Sequence, residues 1–145
     1  MNRDEFEALR DIPGKEIREN IRFAKKLVTA PALVAEVSIS NALGADLRLN
    51  ITFNPEVGSK TFNVHAPKVG PICRLDVDGA PHRPAGRSHQ HALQTPACPD
   101  ENLPRVDDRP DLSGKSLRAL FDVFCKLGNI QHIGSFESPD EHDQN

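Results

Sequence analysis

Three histidines, His82, His89 and His91, stand close together with the spacing H-x6-H-x-H. If residues 89–93 are extended, His89 and His91 share a face, because successive side chains alternate along a strand. A return turn through Pro84 and Gly86 would carry His82 beside them. Arg74, Asp76, Arg83 and Arg87 lie close in sequence. Two chemistries use such a cluster. In the first, His82, His89 and His91, with Asp76, form a shell for a divalent metal such as zinc, with Cys98 as a further candidate ligand. In the second, the same histidines share general acid and base roles on a phosphodiester, because imidazole titrates near neutral pH. Arg74, Arg83 and Arg87 would then bind the phosphate, and Asp76 would orient a histidine. The plain alternative is a surface strand with no chemical role, since H-x-H pairs arise often by chance.

Other matches are weaker. Gly114-Lys115-Ser116 has the ending of a phosphate-binding loop, but the position that must be glycine is Arg109. His65 follows an expected strand, facing either the cluster or solvent, and His132 and His142 are expected to be solvated. Cys73 and Cys125 fall on apolar faces and read as core. The charged run from Arg105 to Asp111 reads as a solvated loop.

The elements that must position the cluster are legible from periodicity. Leu33, Ala35, Val37 and Ile39 alternate with Val34, Glu36 and Ser38, and Leu47, Leu49, Ile51 and Phe53 alternate with polar residues. Period two marks strands buried on one face. Thr61, Phe62 and Val64 make a third strand. Residues 72–77 make a fourth, with Cys73, Leu75 and Val77 on one side and Arg74 and Asp76 on the other. Leu117, Leu120, Phe121, Phe124 and Leu127 follow helical spacing over 116–127, with Ser113 or Ser116 as the cap and Gly128 at the left-handed end position. Residues 1–12 read as a short N-terminal helix. Residues 15–28 fit helix or strand, with strand slightly favoured. Residues 94–111 read as a Pro-rich loop. The expected fold is α+β: an antiparallel meander of four to six strands with the C-terminal helix packed on one face. A single domain would span residues 1–134, and residues 135–145 would be a disordered acidic tail.

Composition bounds the partners. The chain has 145 residues and a net charge of -3, which excludes attraction to nucleic acid by overall charge. Any contact with RNA must use a local patch. Three unpaired-looking cysteines and a charged start point to a cytoplasmic protein without a signal peptide. No apolar run is long enough to span a membrane. Oligomeric state is not readable.

From Cys73 to His91 the sequence resembles an uncharacterised family of small proteins from bacteria, phages and mobile elements. The matching residues are Arg74-Leu75-Asp76, Gly79, Pro81-His82-Arg83, His89 and His91, followed by Asn129-Ile130 after the helix. The match covers roughly the second half of the chain. The loop before His89 is shorter than the pattern, and the residues after His91 differ. The resemblance implies that His82, His89 and His91 form one site, in a toxin–antitoxin or phage-conflict setting. The leading expectation is a small nucleic-acid-directed protein, ribonuclease-like, acting on RNA through the His/Arg cluster. The alternative is a non-enzymatic binding or inhibitor protein of antitoxin-like character that contacts a protein partner. A cupin-like metal enzyme ranks last, because the spaced Glu and second His block are missing.

Overall fold

The computed structural model describes residues 8–9, 11–26, 31–67, 70–79, 86–91 and 107–140, with the side chains of Gln90, His91 and Asp107 left out. The strands are β1 (Lys15–Ile17), β2 (Ala24–Lys25), β3 (Leu33–Ile39), β4 (Leu47–Asn54), β5 (Ser59–Ala66), β6 (Gly70–Val77), β7 (His89–His91), β8 (Asp107–Asp108) and β9 (Ile130–His132). A 3-10 turn covers Pro110–Leu112, and helix α1 covers Leu117–Gly128.

The antiparallel meander is present. Strands β2 to β8 form one sheet in sequence order, with five main strands between two-residue edge strands. Strict alternation sets its two faces: β4 and β5 bury every second residue. The apolar face collects Leu49, Ile51, Phe62, Val64 and Leu75, all buried. Helix α1 covers it with Leu117, Leu120, Phe121 and Phe124. Phe124 stacks on Phe62 with ring centroids 5.5 Å apart. A register shift between Val64 and His65 lets both Ile72 and Cys73 turn inward on β6, as expected where one strand carries an extra residue.

Several expectations need correction. The short N-terminal helix is not supported: only Ala8 and Leu9 are helical, and residues 1–7 and 10 lie outside the described residues. By contrast, the strand slightly favoured over residues 15–28 is present, as two short strands, β1 and β2. The loop expected over 94–111 contains β8 and the start of the 3-10 turn, because Asp108 pairs opposite His89. Helix α1 runs one residue further than expected. Ser116 is its cap, accepting from the Ala119 amide at 3.2 Å, and the left-handed residue is Asn129, φ 56°, rather than Gly128. A short amide side chain tolerates that backbone, and Gly128 is needed for room: a Cβ there would lie 3.2 Å from Ile130.

Residues 135–140, expected to begin a tail, are docked. Phe136 is buried, the Glu137 amide donates to the Ile21 carbonyl at 2.9 Å, and Asp140 accepts from the Leu117 amide at 2.9 Å. The apolar ring of Phe136, 4.8 Å from Phe121, gives this segment something to bury. Residues 141–145 lie outside the described residues. The smaller sheet pairs β1 with β9 in parallel.

Candidate functional site

The β5–β6–β7 register decides what meets the predicted cluster. Asp76 stands opposite Thr61 on one side and His89 on the other, and Arg74 stands opposite His91. Thr61, Arg74, Asp76 and His89 lie on the polar face of the sheet, away from α1. Asp76 and His89 are nonetheless buried, 7% and 0% exposed.

The Asp76 carboxylate is held by several donors. Thr61 Oγ1 donates to Oδ1 at 3.0 Å. Arg74 Nε lies 3.2 and 3.0 Å from the two carboxylate oxygens. His89 Nε2 lies 3.3 Å from Oδ2. The other ring nitrogen, Nδ1, sits 2.9 Å from the Gly86 carbonyl oxygen. A carbonyl only accepts, so Nδ1 carries a proton. A neutral ring would then turn a lone pair on Nε2 towards the carboxylate. Protonation of Nε2 replaces that repulsion with a charge-assisted bond. The Asp76 hydrogen bond accordingly pushes the His89 pKa above the ordinary histidine range, against the opposing effect of burial. His89 thus lies buried between a carboxylate and a main-chain carbonyl.

That arrangement anchors the chain entering β7. The Gly79 amide donates to the Arg87 carbonyl at 3.0 Å, and Arg87 Nε donates back to the Gly79 carbonyl at 3.1 Å. The Asp78 amide donates to Ser88 Oγ at 3.0 Å, and the Gly86 amide donates to Asp108 at 2.8 Å. Asp78, in the left-handed region at φ 55°, accepts from the Ser113 hydroxyl and from the Gly114 amide. Burial opposes ionisation of Asp78, but these bonds and the charges of Lys60 and Arg87 hold its carboxyl below the usual range. The β6–β7 connection is therefore tied at both ends to the sheet and to the turn before α1.

The predicted site residues fall into three groups. Asp76, His89 and Arg74 are brought together. Arg87 is exposed and turned to the Gly79 carbonyl. His82, Arg83 and Cys98 lie outside the described residues, and of His91 only the backbone position opposite Arg74 is described. Among the described residues, no three His, Cys, Asp or Glu side chains converge to hold a metal. His65 stands in β5 with Nδ1 3.4 Å from the Asn50 amide nitrogen, two strands from His89. His132, expected to be solvated, is tethered: Nε2 donates to the Glu19 carbonyl at 2.9 Å, and the ring packs edge-on against Phe121. Burial pushes the Cys125 thiol up to about 12, with Asp122 adding to the effect. Sequence reasoning missed Thr61, the Gly86 carbonyl and Asp108. Only the period-two pattern around Thr61 hinted at its face, and nothing in the sequence set the register that places it beside Asp76.

No helix of the described residues is long and apolar enough to cross a membrane. Comparison with protein-family models, curated proteins and solved structures finds no match.

Proposed function

We propose that this protein is a non-enzymatic binding protein in which the Asp76–His89 pair sets the shape of the β6–β7 region. One observation carries the reading: both ring nitrogens of a fully buried His89 are directed at protein groups, Gly86 and Asp76. A general acid or base must reach the proton it moves, and the described contacts of His89 are with Gly86 and Asp76. Asp76 is equally committed, to Thr61, Arg74 and His89. Anchored hairpins with a rigid sheet behind them are a common platform for recognition. The resemblance to small phage and mobile-element proteins fits an inhibitor or antitoxin-like partner.

The test is RNA hydrolysis measured beside stability. Wild type and His89→Gln should give the same background hydrolysis, while the variant melts at lower temperature. RNA cleavage by the wild type that disappears in a folded His89→Gln variant would overturn the reading. A second reading draws on the register of Arg74 opposite His91. In it, the protein is a ribonuclease-like enzyme, with His91 as acid or base and Arg74 on the phosphate. Cleavage lost in His91→Ala but kept in His89→Gln would select it.

A further inference from the structure

Helix α1 starts between two carboxylates. Asp78, just past the end of β6, accepts from the Ser113 hydroxyl and the Gly114 amide. Asp140 accepts from the amide of Leu117, the first residue of α1, at 2.9 Å, and the Ser138 hydroxyl donates to its other oxygen. Lys115 and Ser116 alone separate the two anchor points. Both are held in turn: the Lys115 amide donates to the Leu112 carbonyl at 3.2 Å, and Ser116 caps the helix. Behind Asp78 lies the β6–β7 connection, through the Asp78 amide on Ser88 Oγ and the Gly79 amide on the Arg87 carbonyl. The 3-10 turn makes a second link to the same place. The Leu112 amide donates to the Arg109 carbonyl at 3.0 Å, and the Arg109 amide to the Ser88 carbonyl at 2.8 Å.

Behind Asp140 lies segment 135–140, which is seated on residues 20–22. The Ile21 amide donates to the Ser135 carbonyl at 2.9 Å, and the Glu137 amide returns to the Ile21 carbonyl. The Ser135 amide donates to Asn20 Oδ1 at 3.0 Å. Arg22 and Glu137 pair at 2.6 Å with both side chains exposed, so water and salt screen that pair. Phe136 is the buried side chain of the segment, set against Phe121 of α1. A segment with one buried ring and exposed polar bonds opens more easily than the sheet behind it. It therefore has two positions, seated and released.

We infer that segment 135–140 is a strap that controls the β6–β7 region through the start of α1. The β6–β7 region is the recognition platform of the binding-protein reading, on which this inference rests, and the strap supplies its regulation. Seated, Asp140 fixes Leu117, and the turn from Ser113 to Ser116 is held in the place where Ser113 and Gly114 meet Asp78. Released, the strap takes Asp140 and the Phe136 ring from α1. The first turn loosens, Asp78 loses well-placed donors, and the connection that it ties to Ser88 and Arg87 opens more often. Coupling of this kind is reciprocal, so loosening Asp78 must also loosen the strap.

Amide hydrogen exchange of the full chain, followed by NMR, tests the coupling in both directions. Asp140→Ala, with Asp140→Asn as the milder variant, speeds exchange at Leu117 and Glu137. It also speeds exchange at Gly114, Asp78 and Gly79 by about fivefold, the size of a lost helix cap. The Ile51 amide, in the middle of the main sheet, keeps its rate and serves as the folding control. Asp78→Asn keeps a residue type that tolerates the left-handed backbone but removes the charge. It speeds exchange at Leu117 and Glu137, on the far side of the helix start. Two results overturn the proposal. One is faster exchange confined to Leu117 and Glu137 in the Asp140 variants, which makes the strap a separate unit. The other is an equal rise at Ile51 in both Asp140→Asn and Asp78→Asn, which marks a general loss of stability. RNA hydrolysis reports separately on the binding-protein reading, because the exchange rates measure the coupling whether or not the protein cleaves RNA.

Discussion

Replacing His89 with alanine removes a buried imidazole from between a carboxylate and a main-chain carbonyl. Breaking a buried pair by deleting one partner costs roughly 3–5 kcal/mol when the remaining charge is left without compensation. Here Asp76 keeps Thr61 and Arg74, so the loss from the pair falls towards about 2 kcal/mol. The Gly86 carbonyl also loses its donor, which adds roughly 1 kcal/mol. The expected total is about 3 kcal/mol, a melting temperature lower by roughly 6–12 °C for a domain of this size. The pH dependence has a definite sign. The folded pKa of His89 lies above its unfolded value, and the Asp76 bond is the main cause. Such a group adds its full stability below the unfolded value of about 6.5 and loses it as pH rises through the folded value. The gap between wild type and His89→Ala therefore narrows at alkaline pH. Urea unfolding at acidic, neutral and alkaline pH measures it, and a His89→Ala, Asp76→Ala cycle isolates the pair. A gap below about 1 kcal/mol, or one that widens with rising pH, would refute the stabilising role given to the Asp76–His89 pair.

Phe124→Ala removes the ring stacked on Phe62 in a fully buried position, and chemical denaturation should show a loss of about 3–5 kcal/mol. Ser116→Ala deletes the α1 cap and should cost about 1 kcal/mol in the same assay, with m unchanged. Gly134→Ala forces a Cβ to within 2.9 Å of the Glu19 carbonyl at φ 141°, so a fall in melting temperature is expected, larger than that of Ser116→Ala. The Cys125 thiol, pushed up to about 12, should resist iodoacetamide at neutral pH in the folded protein and react after denaturation, as read by mass spectrometry of its peptide.

The meander and α1 were legible because their signals are local. Alternation along β3 and β4 and the 3.6-residue stripe of α1 each report one buried face, and neither requires knowledge of the partner. The neighbourhood of Asp76 and His89 was legible in part, since strand parity puts both on the polar face. Parity does not say that a polar-face histidine will be buried. His89 meets the Gly86 carbonyl and the Asp76 carboxylate, which Thr61 holds from the next strand, and register places both.

Segment 135–140 shows the limit from the other side. Its composition is polar and acidic, yet Phe136 finds Phe121, and Asp140 finds the first amide of α1. A short peptide cannot offset its ordering entropy alone, so only the packed core and an open helix end could recruit it. The same distinction holds for the whole chain. Residue types and their spacing determined which segments are strands, which is the helix and which face of each is apolar. Tertiary structure decided which polar groups meet. A hydrogen bond depends on ångström distances between residues far apart in sequence, and those distances are set only when the sheet closes and the helix seats on it.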